Sequence, residues 1–142
     1  MSPADYYIEH LQLTPHPEGG FFRECFRSEY LLHFPGFDGP RPYSTSIYFL
    51  LKKDQQSALH RIKSDEIWYH HDGGALIITE IDEHGHHIET VLGKDISNGE
   101  KLQHIVKAGR WFGAQLAGDT EFSLVGCQVS PGFDFRDFEL KK

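Results

Sequence analysis

From residue 19 onward the chain repeats one pattern, in which short runs rich in Phe, Tyr, Ile and Val are broken by Gly, Pro, Asp and Asn. Such runs read as strands joined by turns. They predict strands near 20–27, 45–52, 57–62, 66–71, 75–82, 86–92, 101–106, 111–117 and 121–129. Strands in that number and spacing make an all-β sandwich or barrel. Ahead of them Ser2 is placed to cap a helix that starts at Pro3. Tyr7, Ile8, Leu11 and Leu13 then recur at roughly helical spacing until Pro15 and Pro17, which predicts one short N-terminal helix.

Three other segments have readable local chemistry. Residues 30–42 hold Pro35, Gly36, Gly39 and Pro40 and read as a long irregular loop, a candidate cover for a barrel mouth. Asp82 to His87 reads as a hairpin turn in which Gly85 supplies the positive φ, and its three histidines as exposed turn residues. From Phe133 to Leu140 aromatic and charged residues alternate, the period of a half-buried strand that covers a sheet edge or pairs with a second subunit. Asp134, Asp137 and Glu139 would then be solvated.

The 142 residues suit one domain, 1–142, long enough to form a core without metal or disulfide staples. No repeat of fixed period interrupts it. With 14 Lys and Arg against 21 Asp and Glu the formal charge is −7, which disfavours general nucleic-acid binding while leaving room for one local cationic pocket. No run reaches the roughly 18 apolar residues of a membrane span, and no basic-then-apolar leader opens the chain. The expectation is a soluble, cytoplasmic protein. Cys25 and Cys127, each flanked by apolar or aromatic residues, read as reduced packing thiols.

The stretch Ala58 to Gly74 carries the chemistry. Side chains two apart on a strand share a face, so His60 aligns with Ile62, and Glu66 with Trp68 and His70. An imidazole, a carboxylate and an indole on one inward face are costly to desolvate unless paired or used. Arg23 and Arg27 lie four apart on one predicted strand and would face the same way; an arginine fork suits a carboxylate or phosphate. Tyr48, Trp68 and Trp111 are candidates for a stacking wall.

The same stretch resembles the first motif of the cupin superfamily. With His60 at its first histidine, Ile62 falls at the second, Glu66 at the glutamate and Gly73 at the closing glycine, while Asp54 stands at the leading glycine. The second motif aligns with Lys107 to Phe112, and Phe112 replaces its histidine. Only two of four metal-ligand positions survive, short of the three protein ligands of a catalytic site, so no metal or other cofactor is expected. Pro17 to Glu24, Ser44 to Leu51, His60 to Trp68 and Leu124 to Leu140 together resemble the DUF985 (Cupin_5) family, over nearly the whole chain. The resemblance implies a double-stranded β-helix, or cupin jelly-roll barrel, usually paired as a homodimer. It supplies no established activity.

Two classes of function follow as expectations. In one, the barrel holds a small anionic ligand such as a nucleotide or sugar-nucleotide and catalyses metal-independent epimerisation or isomerisation. His60 would be the general base, Glu66 would orient it or hold its conjugate acid, and Arg23 would hold the anion. Tyr48, Trp68, His70 and Trp111 would line the ligand, with Tyr48 or Tyr69 as an opposing acid. In the other, the same pocket binds a ligand and catalyses nothing. A metal-dependent enzyme using His60 and Glu66 and a filled, purely structural barrel are the remaining alternatives.

Overall fold

The computed structural model describes residues 1–142. Helix α1 (Pro3–His10) starts where Ser2 caps it, its side chain accepting from the Asp5 amide. It stops earlier than the apolar spacing suggests, because Gln12 adopts a left-handed φ of 56°. The strands follow as β1 (Thr14–Pro15), β2 (Phe21–Arg27), β3 (Leu31–Leu32), β4 (Arg41–Pro42), β5 (Thr45–Lys52), β6 (Gln56–Arg61) and β7 (Asp65–Gly73). After them come β8 (Leu76–Ile81), β9 (His87–Leu92), β10 (Gln103–Val106), β11 (Trp111–Leu116), β12 (Phe122–Ser130) and β13 (Glu139–Leu140). All nine strands expected from the hydrophobic pattern are present, with ends shifted by a few residues at most. No helix is long and apolar enough to cross a membrane.

Two facing antiparallel sheets form a jelly roll. The first runs β1-β2-β5-β12-β7-β10 and the second β13-β6-β11-β8-β9. Inward residues from both sheets, among them Leu51, Leu76, Ile78, Val106, Phe112 and Val125, pack into one core in the space between them. Helix α1 covers the outer face of the first sheet through Ala4, over Leu50 and Leu124. That cover explains why β5 is buried on both faces at Phe49, Leu50 and Leu51, where alternation alone would leave Leu50 in water.

The β8–β9 hairpin follows the expected turn. Gly85 has φ 81°, and the Asp82 carboxylate accepts from the amides of His84 and His86 at 2.9 and 2.8 Å. The loop from 30 to 42 instead contains the short β3–β4 ladder, and none of its residues lines the interior cavity. The covering role belongs to residues 133–138. These form a 3-10 turn at Phe135–Asp137, not the predicted continuous strand, and only β13 pairs with the β6 edge.

Asp137 is also not solvated. Its carboxylate takes a bidentate pair of hydrogen bonds from Arg41 Nε and Nη2, both 2.8 Å, and the Arg41 side chain has no exposed surface. The remaining guanidinium nitrogen donates to the carbonyls of Asp38, Gly39 and Pro40. One guanidinium therefore ties the 30–42 loop to the 133–138 cover. Breaking such a pair by removing one partner leaves a buried charge alone. Arg41→Met should destabilise the protein by about 3 kcal/mol in urea titrations, and Arg41→Met with Asp137→Leu should recover most of that loss.

Candidate functional site

Beside the packed core the two sheets do not close against each other. A cavity of about 370 Å³ remains there, walled by Phe22, Ile47, Phe49, Ile62, Trp68 and Val129, with Phe133, Phe135 and Phe138 over it. His60 enters from β6 in the second sheet and Glu66 from β7 in the first, so the two face one space from opposite walls. His16, Thr45, Ser57, Cys127 and the Glu24–Arg27 pair complete the polar lining.

A bulge in β2 decides which arginine reaches the cavity. Glu24 pairs with Ile47 and Phe26 with Ser46, leaving Cys25 as the extra residue. An inserted residue reverses the alternation beyond it. Phe22, Glu24 and Arg27 therefore line the cavity, while Arg23 faces outward beside Tyr48. The expectation that Arg23 and Arg27 share a face fails for this reason. Arg27 donates to both Glu24 oxygens, at 2.9 and 2.8 Å, and to the Phe133 carbonyl at 3.1 Å. Cys25 is exposed and Cys127 buried, so only Cys127 is a packing thiol.

His60 is 9% exposed. Its ring lies 4.2 Å from Phe112 and 5.4 Å from Phe138, centroid to centroid. Nδ1 lies 2.7 Å from the Ala58 carbonyl; a carbonyl only accepts, so Nδ1 carries the proton and the lone pair is left on Nε2. Burial lowers the His60 pKa, with the Ala58 bond opposing in part. Glu66 makes no hydrogen bond to His60. Burial pushes the Glu66 pKa up to about 8, and the nearby Cys127 thiol and Trp68 indole offset only part of that. Glu66 is then a neutral carboxylic acid at pH 7, so it does not orient His60 as a carboxylate. Burial also raises the Cys127 thiol well above its ordinary value.

His16 was not singled out by sequence reasoning, although it directly precedes the Pro17-Glu18-Gly19-Gly20 motif. Its Nδ1 accepts from the Glu18 amide at 2.9 Å, which requires an unprotonated Nδ1. Burial takes its pKa down to about 4, with His60 adding to the effect. The turn depends on Gly19, at φ 108°, where a Cβ would strike the Gln56 carbonyl.

Of the other expected site residues, only Trp68 reaches the cavity. Trp68 lines the cavity and is 2% exposed, with an Nε1 that has no hydrogen-bond partner. His70 points inward but lies beyond the cavity, its Nε2 2.9 Å from the Gly74 carbonyl. Tyr48 is on the outer face against His71, and Tyr69 donates to Gln128 there at 3.0 Å, so neither hydroxyl faces His60. Trp111 is also outside, stacked with Arg61 and Lys141 at 4.5 and 5.0 Å. Side-chain parity separates these residues from the cavity: 60 and 62 are inward, and 61 and 111 outward.

The residues present do not fit the metal of the cupin motifs. Two of the four ligand positions are Ile62 and Phe112, which have no donor atom, and no group of three or more His, Cys, Asp or Glu side chains is placed to hold a metal ion. Glu66, uncharged at neutral pH, is a poor ligand for a divalent ion.

Comparison with known proteins agrees with this architecture. A hypothetical protein from Leishmania major has a solved structure that superposes with a TM-score of 0.92 at 38% identity, covering 99% of this chain and 88% of that one. The crystal structure of protein SO0799 from Shewanella oneidensis gives 0.89 at 44% identity, covering 100% and 86%. The uncharacterized protein YML079W of Saccharomyces cerevisiae is 31% identical over 99% of this chain and 76% of its own length. The model of the Cupin_5 family, described as cupin superfamily (DUF985), matches residues 5–141, and the chain belongs to that family.

Proposed function

We propose that this protein is a small-molecule cupin that transfers protons without a metal, as an isomerase or epimerase. The observation that carries the proposal is one cavity that a buried imidazole, with its Nδ1 held by the Ala58 carbonyl and its Nε2 lone pair free, enters from one sheet and a buried carboxyl, pushed up to a pKa of about 8, enters from the other. Environments that push two titratable groups apart in this way assign the base and the acid. His60 is the base, because its Ala58 bond already aims Nε2 as an acceptor. Glu66 is the acid, the role that neither Tyr48 nor Tyr69 is placed to fill.

The lining also describes the ligand. Aromatic walls suit a flat or weakly polar body. A volume of about 370 Å³ is at the lower end of ligand pockets. A nucleotide or sugar-nucleotide would therefore enter by one ring and leave its phosphate outside. The cation available to that phosphate is Arg27, which would have to exchange its Glu24 bond for a ligand oxygen. Non-catalytic binding is the second reading, favoured by the same aromatic walls. Turnover separates the two.

His60→Ala should abolish turnover while leaving ligand affinity within about tenfold, roughly 1.4 kcal/mol. Thermal shift against nucleotides and sugar-nucleotides is the entry to that test: a true ligand at 100 times its Kd adds about 2.7 kcal/mol.

The rate should follow a bell in pH. It rises with pH through the His60 pKa, which lies below 6.5, and falls through about 8 as Glu66 loses its proton. Glu66→Gln should remove the alkaline limb along with most of the turnover.

Stability should show the same carboxyl. Folded Glu66 holds its proton to about 8 against an ordinary 4.5, so between these values the folded state binds more protons and stability falls as pH rises. His16 opposes this only between about 4 and 6.5. From pH 6.5 to 8, denaturant melts should therefore lose about 2 kcal/mol in the wild type, at about 1.4 kcal/mol per pH unit. Glu66→Gln should flatten that slope.

A further inference from the structure

His16 is a polar group of the cavity lining that this acid–base scheme leaves without a task. Its ring is held edge-on to Phe22 at 4.7 Å and Phe49 at 5.6 Å, and its backbone is pinned by the bond from its amide to the Gly20 carbonyl and by the Gly19 amide on its own carbonyl. The Glu18 amide occupies Nδ1, so a neutral His16 carries its proton on Nε2, and that N–H has no acceptor in the protein. The two imidazoles of the cavity thus have opposite polarity. His60 offers a lone pair from Nε2, and His16 offers a hydrogen.

We propose that His16 is a neutral electrophile whose Nε2–H hydrogen-bonds a substrate carbonyl oxygen, so that the substrate class is a carbonyl compound with an ionisable C–H on the adjacent carbon. This rests on the acid–base reading above. His60 Nε2 takes the proton from that carbon, the C–H bond breaks, and its electron pair moves through the new C=C bond onto the oxygen, giving an enolate held by His16. The Glu66 hydroxyl then returns a proton to carbon, from its own wall. The cycle closes when the proton on His60 passes through water to the Glu66 carboxylate. A neutral donor suits the oxygen because it stabilises the developing charge without protonating it, and the low pKa of His16 keeps it neutral at working pH.

The test uses acetophenone with a 13C-labelled carbonyl, an aromatic ketone matched to the aromatic walls. In the wild type the infrared carbonyl stretch of the bound probe should fall below its value in hexane, and its methyl hydrogens should exchange with deuterium oxide. His16→Phe, which keeps a ring but removes the N–H, should return the stretch to its apolar value and slow exchange by about 10²–10³-fold. His16→Gln, which restores a donor, should recover part of the shift. His60→Ala should stop exchange and leave the shift intact. Loss of exchange with the shift retained in the wild type would set aside the acid–base reading and keep the His16 contact. An unshifted carbonyl in the wild type, or a shift that survives His16→Phe, overturns the proposal.

Should the Phe variant not fold, 15N spectra of histidine-labelled wild type decide the matter. An Nε2–H tautomer at His16, displaced by the probe, supports the assignment. An Nδ1–H tautomer, or no displacement, overturns it.

Discussion

Desolvation is the constraint on which the site depends. Between the sheets His16, His60, Glu66 and Cys127 are each shifted by burial toward the uncharged form, and the formal charges of the lining are confined to the Glu24–Arg27 pair. A carboxyl and an imidazole that would form an ion pair in water are here a carboxylic acid and a free base. The same cause makes the interior hospitable to an apolar body with hydrogen-bonding edges and inhospitable to a bare anion or a divalent cation.

That space exists because the jelly roll is packed on one side of it and covered on another. Leu51, Leu76, Ile78 and Val106 belong to the packed part. Over the cavity Phe133, Phe135 and Phe138 provide the cover, and the cover is held by a polar device. Arg41 joins the 30–42 loop to Asp137 with every nitrogen satisfied. The ion pair therefore shapes the cavity through geometry, by fixing the segment that covers Glu66 and His60.

Each ring nitrogen of the two cavity histidines is set by the backbone. An amide N–H facing His16 and a carbonyl facing His60 select opposite tautomers from the same side chain. The polarity of the site is thus written by local chain path at residues 16–18 and 58–60, and the sheets bring the two results into one cavity.

Much was legible in the sequence. Alternation of apolar residues placed the nine strands, Ser2 and Pro3 the helix start, Gly85 the hairpin, and the motifs around His60 and Glu66 the family. These are properties of a residue and its near neighbours, which local sterics and side-chain period determine. Three things depended on contacts between distant parts of the chain. The bulge at Cys25, set by pairing of β2 with β5, turned Arg27 inward and Arg23 outward. The partnership of Arg41 with Asp137, 96 residues apart, made a buried pair from what read as a solvated strand. The protonation of Glu66 and the inclusion of His16 follow from how much water the assembled sheets exclude, a quantity that no window of sequence contains.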